Sequence, residues 1–355
     1  MTNQSGTTRE ERGQPFGAHR VIEPAGALPQ PAWRVDNRFE VAWDNEIVVD
    51  VETLNVDAAS FRQMEEASAG EERGVERLVR ETVDKRGKQH NPVTGSGGML
   101  LGRVARVGSA LRGKVDVAVG DRIATLVSLS LTPLRLDEVR AVRRQSAQLD
   151  VVGKAAIFAG APFAKMPTDM PERLALAILD VAGAAIQVSR RAKGGDAVMV
   201  LGAGGKSGIL CAAEARRAIG PNGRLIGVES HAPFAADLRA LGICDEVVEL
   251  DARDALGVHR AALEHNHGRE LDLAISCVNV EGAEMATILP VRDRGCAYFF
   301  SMSTSFGRAA LGAEGVGRDI ELVMGNGYAS GHAEHALGLV RSLPAVRALF
   351  EKRYG

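Results

Sequence analysis

The stretch Val198-Met-Val-Leu-Gly202-Ala-Gly204-Gly205-Lys206-Ser207-Gly208 decides the fold. Ala197–Leu201 is continuously apolar and reads as a buried strand. Glycines follow at once, and then the apolar helix Gly208–Ile219. Gly202 permits the sharp turn, a glycine at 204 or 205 lets the backbone approach a pyrophosphate, and Gly208 lets the helix pack tightly on the strand. The first helical N–H groups and the positive helix end then face the phosphates. Ala203, Lys206 and Ser207 complete the predicted dinucleotide loop. Its spacing fits G-x-x-G-x-x-G (202, 205, 208) better than G-x-G-x-x-G, whose last position would be Ser207. Gly205-Lys206-Ser207 mimics the end of a triphosphate-binding P-loop, but the first glycine of that motif would fall on Val200, which excludes it.

Outward from this loop, short β-rich runs alternate with helical segments. Leu225–Val228, Val247–Leu250, Leu273–Cys277 and Ala297–Phe300 read as strands, with helices such as Ala255–His265 between them. Strands separated by helices imply right-handed crossovers and a parallel sheet covered on both faces, the doubly wound α/β (Rossmann) plan. Glu229 ends the second strand about twenty residues beyond the loop, where a carboxylate binds the ribose 2′-OH. Its charge favours NAD over NADP, although Ser230 and His231 beside it leave NADP open. Ser301 and Met302, and likewise Val278 and Asn279, follow strand ends and are expected to border the cofactor. The first half reads differently. Glu46–Val51, Gly102–Val107 and Arg122–Leu126 are short strands between Gly- and Asp-rich turns, which predicts a mostly β domain. The charged helical stretch Glu71–Arg86 reads as a surface insertion. A last amphipathic helix, about His332 to Arg353, carries Leu337, Val340, Leu343, Val346 and Leu349.

Composition narrows the function classes. A chain of 355 residues has room for two domains, and a net charge of −2 provides no field for nucleic acid or an anionic membrane. The arginines of Arg140–Arg144 read as a solvated stretch. No run of about 18 apolar residues offers a spanning helix, and the polar start Met1–Gln14 lacks the apolar core of a signal peptide. Cys211, Cys244, Cys277 and Cys296 are widely spaced without a C-x-x-C pair, which suits a reducing cytoplasm.

A strand-rich first half, a Rossmann core and a C-terminal helix resemble the medium-chain dehydrogenase/reductase superfamily. Within it the chain is similar to the family of L-erythro-3,5-diaminohexanoate dehydrogenases of lysine fermentation. The stretches that carry this are His19-Arg-Val-Ile-Glu-Pro24, Asn91-Pro-Val-Thr-Gly-Ser-Gly-Gly-Met99, Ala124-Thr-Leu-Val-Ser-Leu-Ser-Leu-Thr-Pro-Leu134 and Leu179-Asp-Val-Ala-Gly183. Gly205-Lys-Ser-Gly208, Phe299-Phe-Ser-Met302, Ala310-Leu-Gly-Ala-Glu-Gly-Val-Gly317 and Gly325-Asn-Gly-Tyr328 complete them. The resemblance implies a GroES-like, mostly β catalytic domain at 17–180, a Rossmann domain at 181–325, and a segment 326–355 returning to the catalytic domain. Residues 1–16 are expected to form a disordered extension. It further implies oxidative deamination of a 3-amino group with a pyridine nucleotide, in a cytoplasmic homo-oligomer. A zinc-free quinone or enone reductase using NADPH, and a non-catalytic dinucleotide sensor, are the alternatives.

Many members of the superfamily hold a catalytic zinc. Here Leu54-Asn-Val-Asp-Ala-Ala-Ser60 contains no cysteine and Thr94–Gly102 contains no histidine, so no metal is expected. The pairs His265/His267 and His332/His335 read as solvated. Without metal, the amine's proton and the water that hydrolyses the iminium need a protein base. Asp57, in the expected substrate loop, and Asp180, inside the apolar run Leu174–Ala185, are the leading carboxylates. A partly desolvated Asp180 would suit base work. Thr94 and Ser96 sit in a Gly-rich turn as hydrogen-bonding candidates. Glu65 and Glu66 are candidate ammonium ligands, and Arg20 and Arg62 candidate carboxylate clamps.

Overall fold

The computed structural model describes residues 10–69, 71, 73–325 and 327–354. The chain divides into two compact units, Met1–Pro167 and Thr168–Gly355. The boundary therefore falls before the expected 180/181, because the helix carrying Leu174–Leu179 is buried with the second unit.

In the first unit the strands are β1 (Glu10–Glu11), β2 (Val21–Glu23), β3 (Arg34–Val35), β4 (Ala42–Trp43), β5 (Glu46–Asn55), β6 (Met99–Val107), β7 (Arg122–Thr125), β8 (Leu134–Arg143), β9 (Gln148–Phe158) and β10 (Phe163–Lys165). Helices α1 (Ala58–Ala67) and α2 (Gly74–Arg86) lie between β5 and β6. Among the described residues, one antiparallel sheet runs β10-β7-β6-β5-β9-β8. Its inward residues, among them Ile47, Val49, Leu100, Ile123, Leu149 and Ile157, form the core.

Two expectations change here. The helix α2 is not a surface insertion: Val75, Val79 and Val83, one helical face, are at most 1% exposed and belong to that core. The charges read in the sequence occupy its other side. Residues 10–16 are not a loose extension either. Glu10–Glu11 pair with Ala42–Trp43, the Glu10 carboxylate accepts from Arg106 at 2.8 Å and from the Ser109 amide at 3.0 Å, and Gly13 N–H donates to Asp44 at 2.9 Å. The remainder of that expectation, Met1–Arg9, lies outside the described residues. The arginines of 140–143 stand on β8, an edge strand whose outer positions are exposed.

The second unit contains α3 (Glu172–Leu179), α4 (Ala182–Ser189), β11 (Ala197–Leu201), α5 (Lys206–Ile219), β12 (Arg224–Val228), α6 (Ala232–Leu241), β13 (Glu246–Val248), α7 (Ala255–His265), β14 (Leu271–Ser276), α8 (Glu284–Ile288), β15 (Val291–Phe299), α9 (Phe306–Gly315), β16 (Glu321–Met324), α10 (His332–Ser342) and α11 (Pro344–Tyr354). The sheet order β13-β12-β11-β14-β15-β16 is parallel throughout. The order reverses at β11, so the doubly wound plan has its switch point beside β11, where such sheets bind ligands. The second unit is thus a doubly wound α/β (Rossmann-type) unit, and the first unit is mostly β.

The predicted last helix is two. Pro344 starts α11, and its ring cannot continue α10. α10 packs on α3, α4 and α5, and α11 on α3, α5 and α6, so both helices cluster with the second unit. Among the described residues no helix is long and apolar enough to cross a membrane.

Candidate active site

The turn after β11 is set by backbone geometry. Gly202 has φ 70°, a left-handed conformation, and a β-carbon there would stand 2.9 Å from Val278. At Gly208 a β-carbon would overlap the Gly202 carbonyl oxygen, so the first turn of α5 rests directly on the loop. Gly204 faces inward: a β-carbon would meet Phe234 at 2.7 Å and Glu229 at 2.9 Å. Gly205 differs from both. Its extended backbone (φ −77°, ψ 173°) begins α5, and a side chain there would find only the Gly202 carbonyl, at 3.6 Å. Of the two glycines the sequence offered, 205 is the one with open space beside it.

The amides of Lys206, Ser207 and Gly208 lie in the first turn of α5 and so lack intrahelical acceptors, Gly205 has no side chain to cap them, and they add to the positive end of the helix. This cradle fits a diphosphate. Glu229 closes its rear. It is 7% exposed; its Oε2 accepts the Gly204 N–H at 3.0 Å and its Oε1 the His231 N–H at 3.0 Å. The carboxylate thus ties the end of β12 to the glycine loop.

Val278 packs against Gly202, and Asn279 accepts from Ser303 Oγ at 2.7 Å. The Ser301 hydroxyl accepts the Ser303 N–H at 3.1 Å, while Met302 is 90% exposed. These residues lie at the carboxyl ends of β14 and β15, on the same edge of the sheet as the loop.

Asp180 does not occupy an apolar pocket. It follows α3 at the surface and holds the Lys206 ammonium at 2.5 Å; both side chains are about a third exposed. Leu174–Leu179 are buried on every side of α3, and Asp180 is its exposed C-cap residue, so the low-dielectric environment expected for it is absent.

In the first unit, Asp57 caps α1: its Oδ1 accepts the Ser60 N–H at 2.8 Å. Its Oδ2 is enclosed and has no donor among the described residues. Ser60 Oγ meets Thr94 Oγ1 at 2.5 Å, and the Thr94 hydroxyl accepts the Ser96 N–H at 3.3 Å. Asn91, which organises that turn through Val93 N–H at 2.8 Å, also donates to Gln63 on α1 at 2.9 Å. Asp57, Thr94 and Ser96, distant in sequence, therefore share one polar corner. Sequence reasoning missed Ser60 and Asn91. Their signal was the match of Ser60 to the fourth position of a capping pattern starting at Asp57, and the Asn-Pro turn at 91–92.

The other candidates are elsewhere. Glu65 lies 3.8 Å from Arg144, and Glu66 and Arg62 are exposed on α1. Arg20 is not available as a clamp: it is 1% exposed and grips Glu46 through two bonds of 2.8 and 2.7 Å, with the Asp36 and Arg38 carbonyls as further acceptors. His19 adds a contact to Glu46 at 2.8 Å. Arg20 and His19 hold the Glu46 carboxyl below its ordinary range, against the opposing effect of burial. Burial, then Arg86 and Lys88, push His90 down to about 4. Of the histidines read as solvated, His332 is buried beside Tyr328 and His335 pairs with Glu214 at 3.1 Å. Among the described residues, no group of three or more His, Cys, Asp or Glu side chains is arranged to hold a metal ion.

Residues 19–167 match the L-erythro-3,5-diaminohexanoate dehydrogenase N-terminal domain family, whose match ends where the first unit ends. A protein of Acetoanaerobium sticklandii named L-erythro-3,5-diaminohexanoate dehydrogenase is 49% identical over 97% of this chain and 99% of its own length. A protein of Fusobacterium nucleatum with the same name is 49% identical over the same shares. The native structure of a mycobacterial protein complexed with NADPH superimposes with a TM-score of 0.56 at 16% identity, covering 86% of this chain and 87% of the other, a likeness of fold.

Proposed function

The chain belongs to the L-erythro-3,5-diaminohexanoate dehydrogenase family, and on that premise we propose that it oxidatively deaminates L-erythro-3,5-diaminohexanoate at C3 to 5-amino-3-oxohexanoate and ammonia, with a nicotinamide dinucleotide as hydride acceptor. It is an oxidoreductase acting on an amine. The observation that carries this reading is identity near one half sustained through both units.

The cradle over Gly205 would hold the diphosphate through the Lys206, Ser207 and Gly208 amides, with Val278, Asn279, Ser301 and Met302 bordering the remainder. NAD is the proposed form. The Glu229 carboxylate ends β12 with its charge buried beside Gly204, and a 2′-phosphate near it would meet like charge. A nicotinamide held there would supply the acceptor for the hydride from C3.

The proton chemistry falls to the first unit. The substrate ammonium must lose a proton before hydride can leave, and the resulting iminium needs an activated water. Asp57 is the proposed base. One of its oxygens is spent on the Ser60 amide and the other lacks a donor, a deficit that a substrate ammonium or water would fill. The linked hydroxyls of Ser60 and Thr94, with Ser96, supply donors and acceptors beside it. Asp180 is assigned to holding Lys206 rather than to base work. Glu65 stays a peripheral candidate for the second ammonium. No metal is invoked in this scheme. Family resemblance alone supports a cytoplasmic homo-oligomer, whose subunit number sedimentation would read.

The test is spectrophotometric. Purified protein is given L-erythro-3,5-diaminohexanoate with NAD or NADP, with and without chelator, and nicotinamide reduction is followed. NAD-dependent, chelator-resistant turnover releasing ammonia is expected. Reduction of quinones or enones with NADPH, without turnover of the diamine, would overturn it.

A further inference from the structure

The geometry points to Arg353 as a positioning residue for the dinucleotide, acting through the carbonyl of Gly204; this rests on the dinucleotide part of the proposed function. Arg353 lies in the last turn of α11, far in sequence from the glycine loop. Its Nη1 donates to the Gly204 carbonyl at 2.5 Å. Its Nε and Nη2 donate to Asp237 Oδ2 at 3.1 and 2.7 Å, and the guanidinium lies 4.1 Å from the centre of the Phe234 ring. The side chain is only 9% exposed, so these bonds form largely out of water.

Phe234 and Asp237 stand on α6, the helix that follows the Glu229-Ser230-His231 corner. One guanidinium therefore ties together α11, α6 and the loop between β11 and α5. Both polar groups of Gly204 are committed: its N–H to Glu229 at 3.0 Å and its C=O to Arg353. Fixing the Gly204 carbonyl fixes the Gly204–Gly205 peptide plane, whose N–H turns back to the Gly202 carbonyl at 3.2 Å. The amides of residues 206–208 are then left pointing outward. A second grip comes from Tyr354, whose ring centre is 5.8 Å from Lys206 Nζ. A loop held this way before the ligand arrives does not have to be ordered when it binds.

Removing the guanidinium does not orphan Asp237, because Lys352 also holds it at 3.0 Å. Arg353→Met keeps an apolar stem against Phe234 and deletes the bond to Gly204. In calorimetric titrations with NAD and NADP, this variant is expected to bind the dinucleotide at least tenfold more weakly. Its substrate KM at saturating dinucleotide stays within twofold, and Arg353→Lys recovers part of the loss. Arg347→Met, which removes the pair with Glu351 on the same helix and the bond to the Asp169 carbonyl but no contact to the glycine loop, leaves dinucleotide affinity unchanged. A folded Arg353→Met protein with wild-type affinity would overturn the inference. Should that variant not fold, Asp237→Leu, which removes both hydrogen bonds from α6 to the guanidinium and leaves only Phe234 against it, must weaken binding, and wild-type affinity there overturns the inference equally. Wild-type protein that bound neither nucleotide would instead remove the dinucleotide site itself, and this inference with it.

Discussion

Replacing Gly205 with alanine separates binding from folding. A β-carbon at this position finds no atom closer than 3.6 Å, and the backbone there is extended and open to any residue. The fold should accept the methyl, with a melting temperature within about 2 °C of wild type. The methyl would, however, stand over the cradle where the diphosphate approaches the amides of Lys206 to Gly208. Displacing the phosphates from one charge-assisted bond costs about 1.5–3 kcal/mol, which is roughly 10- to 140-fold in dissociation constant. Gly208→Ala is the opposite case. Its methyl would overlap the Gly202 carbonyl, and overpacking of this kind costs about 1–3 kcal/mol. In a unit of this size that lowers the melting temperature by several degrees, at roughly 2–4 °C per kcal/mol. Calorimetric titration with NAD and thermal melts of both variants give the comparison. If Gly205→Ala binds NAD as tightly as wild type, the phosphates do not lie over residue 205 and the reasoning about the cradle fails.

Three further outcomes are expected. Asp57→Asn keeps a good helix cap but removes the proposed base, so kcat for deamination should fall by about 100-fold or more while NAD affinity holds; a loss under threefold would clear Asp57 of that role. Asp180→Asn should cost no more than about 1 kcal/mol of stability, since its pair with Lys206 is partly exposed. It should change NAD affinity rather than the chemical step, and single-turnover rates unaffected by the substitution would agree; a large drop in that rate would restore Asp180 as the base. His90 is held neutral down to about pH 4, against 6.5 for the ordinary side chain. The unfolded chain then binds the extra proton first, so stability from this site is complete above about pH 6.5 and is lost as pH falls towards 4. Melts at pH 7 and pH 5 should differ less in His90→Gln than in wild type, and equal differences would refute this.

Much of the second unit was legible because its strands are buried on both faces and read as short apolar runs, each closed by a turn. The edge strands β16 and β8 were not: β16 is four residues with no buried position, and β8 is exposed or half-exposed throughout beyond Leu136, so neither shows a buried run or a regular alternation. The valine face of α2 was hidden for a related reason: Val75, Val79 and Val83 are few among many charges, and only a surrounding sheet shows that they are core.

By itself the sequence determined the strand–glycine–helix unit at 197–219, the family, and the carboxylate after β12, because each depends on neighbours within a few residues or on long collinear runs. Tertiary structure alone decided which carboxylates are free. Asp180 is paired with Lys206 and Glu46 with Arg20, Glu229 keeps its charge but has one oxygen on the Gly204 amide and the other on the His231 amide, whereas Asp57 keeps an oxygen without a donor among the described residues. The physical reason is that a side chain's charge environment is set by groups tens to hundreds of residues away along the chain, which no local pattern encodes.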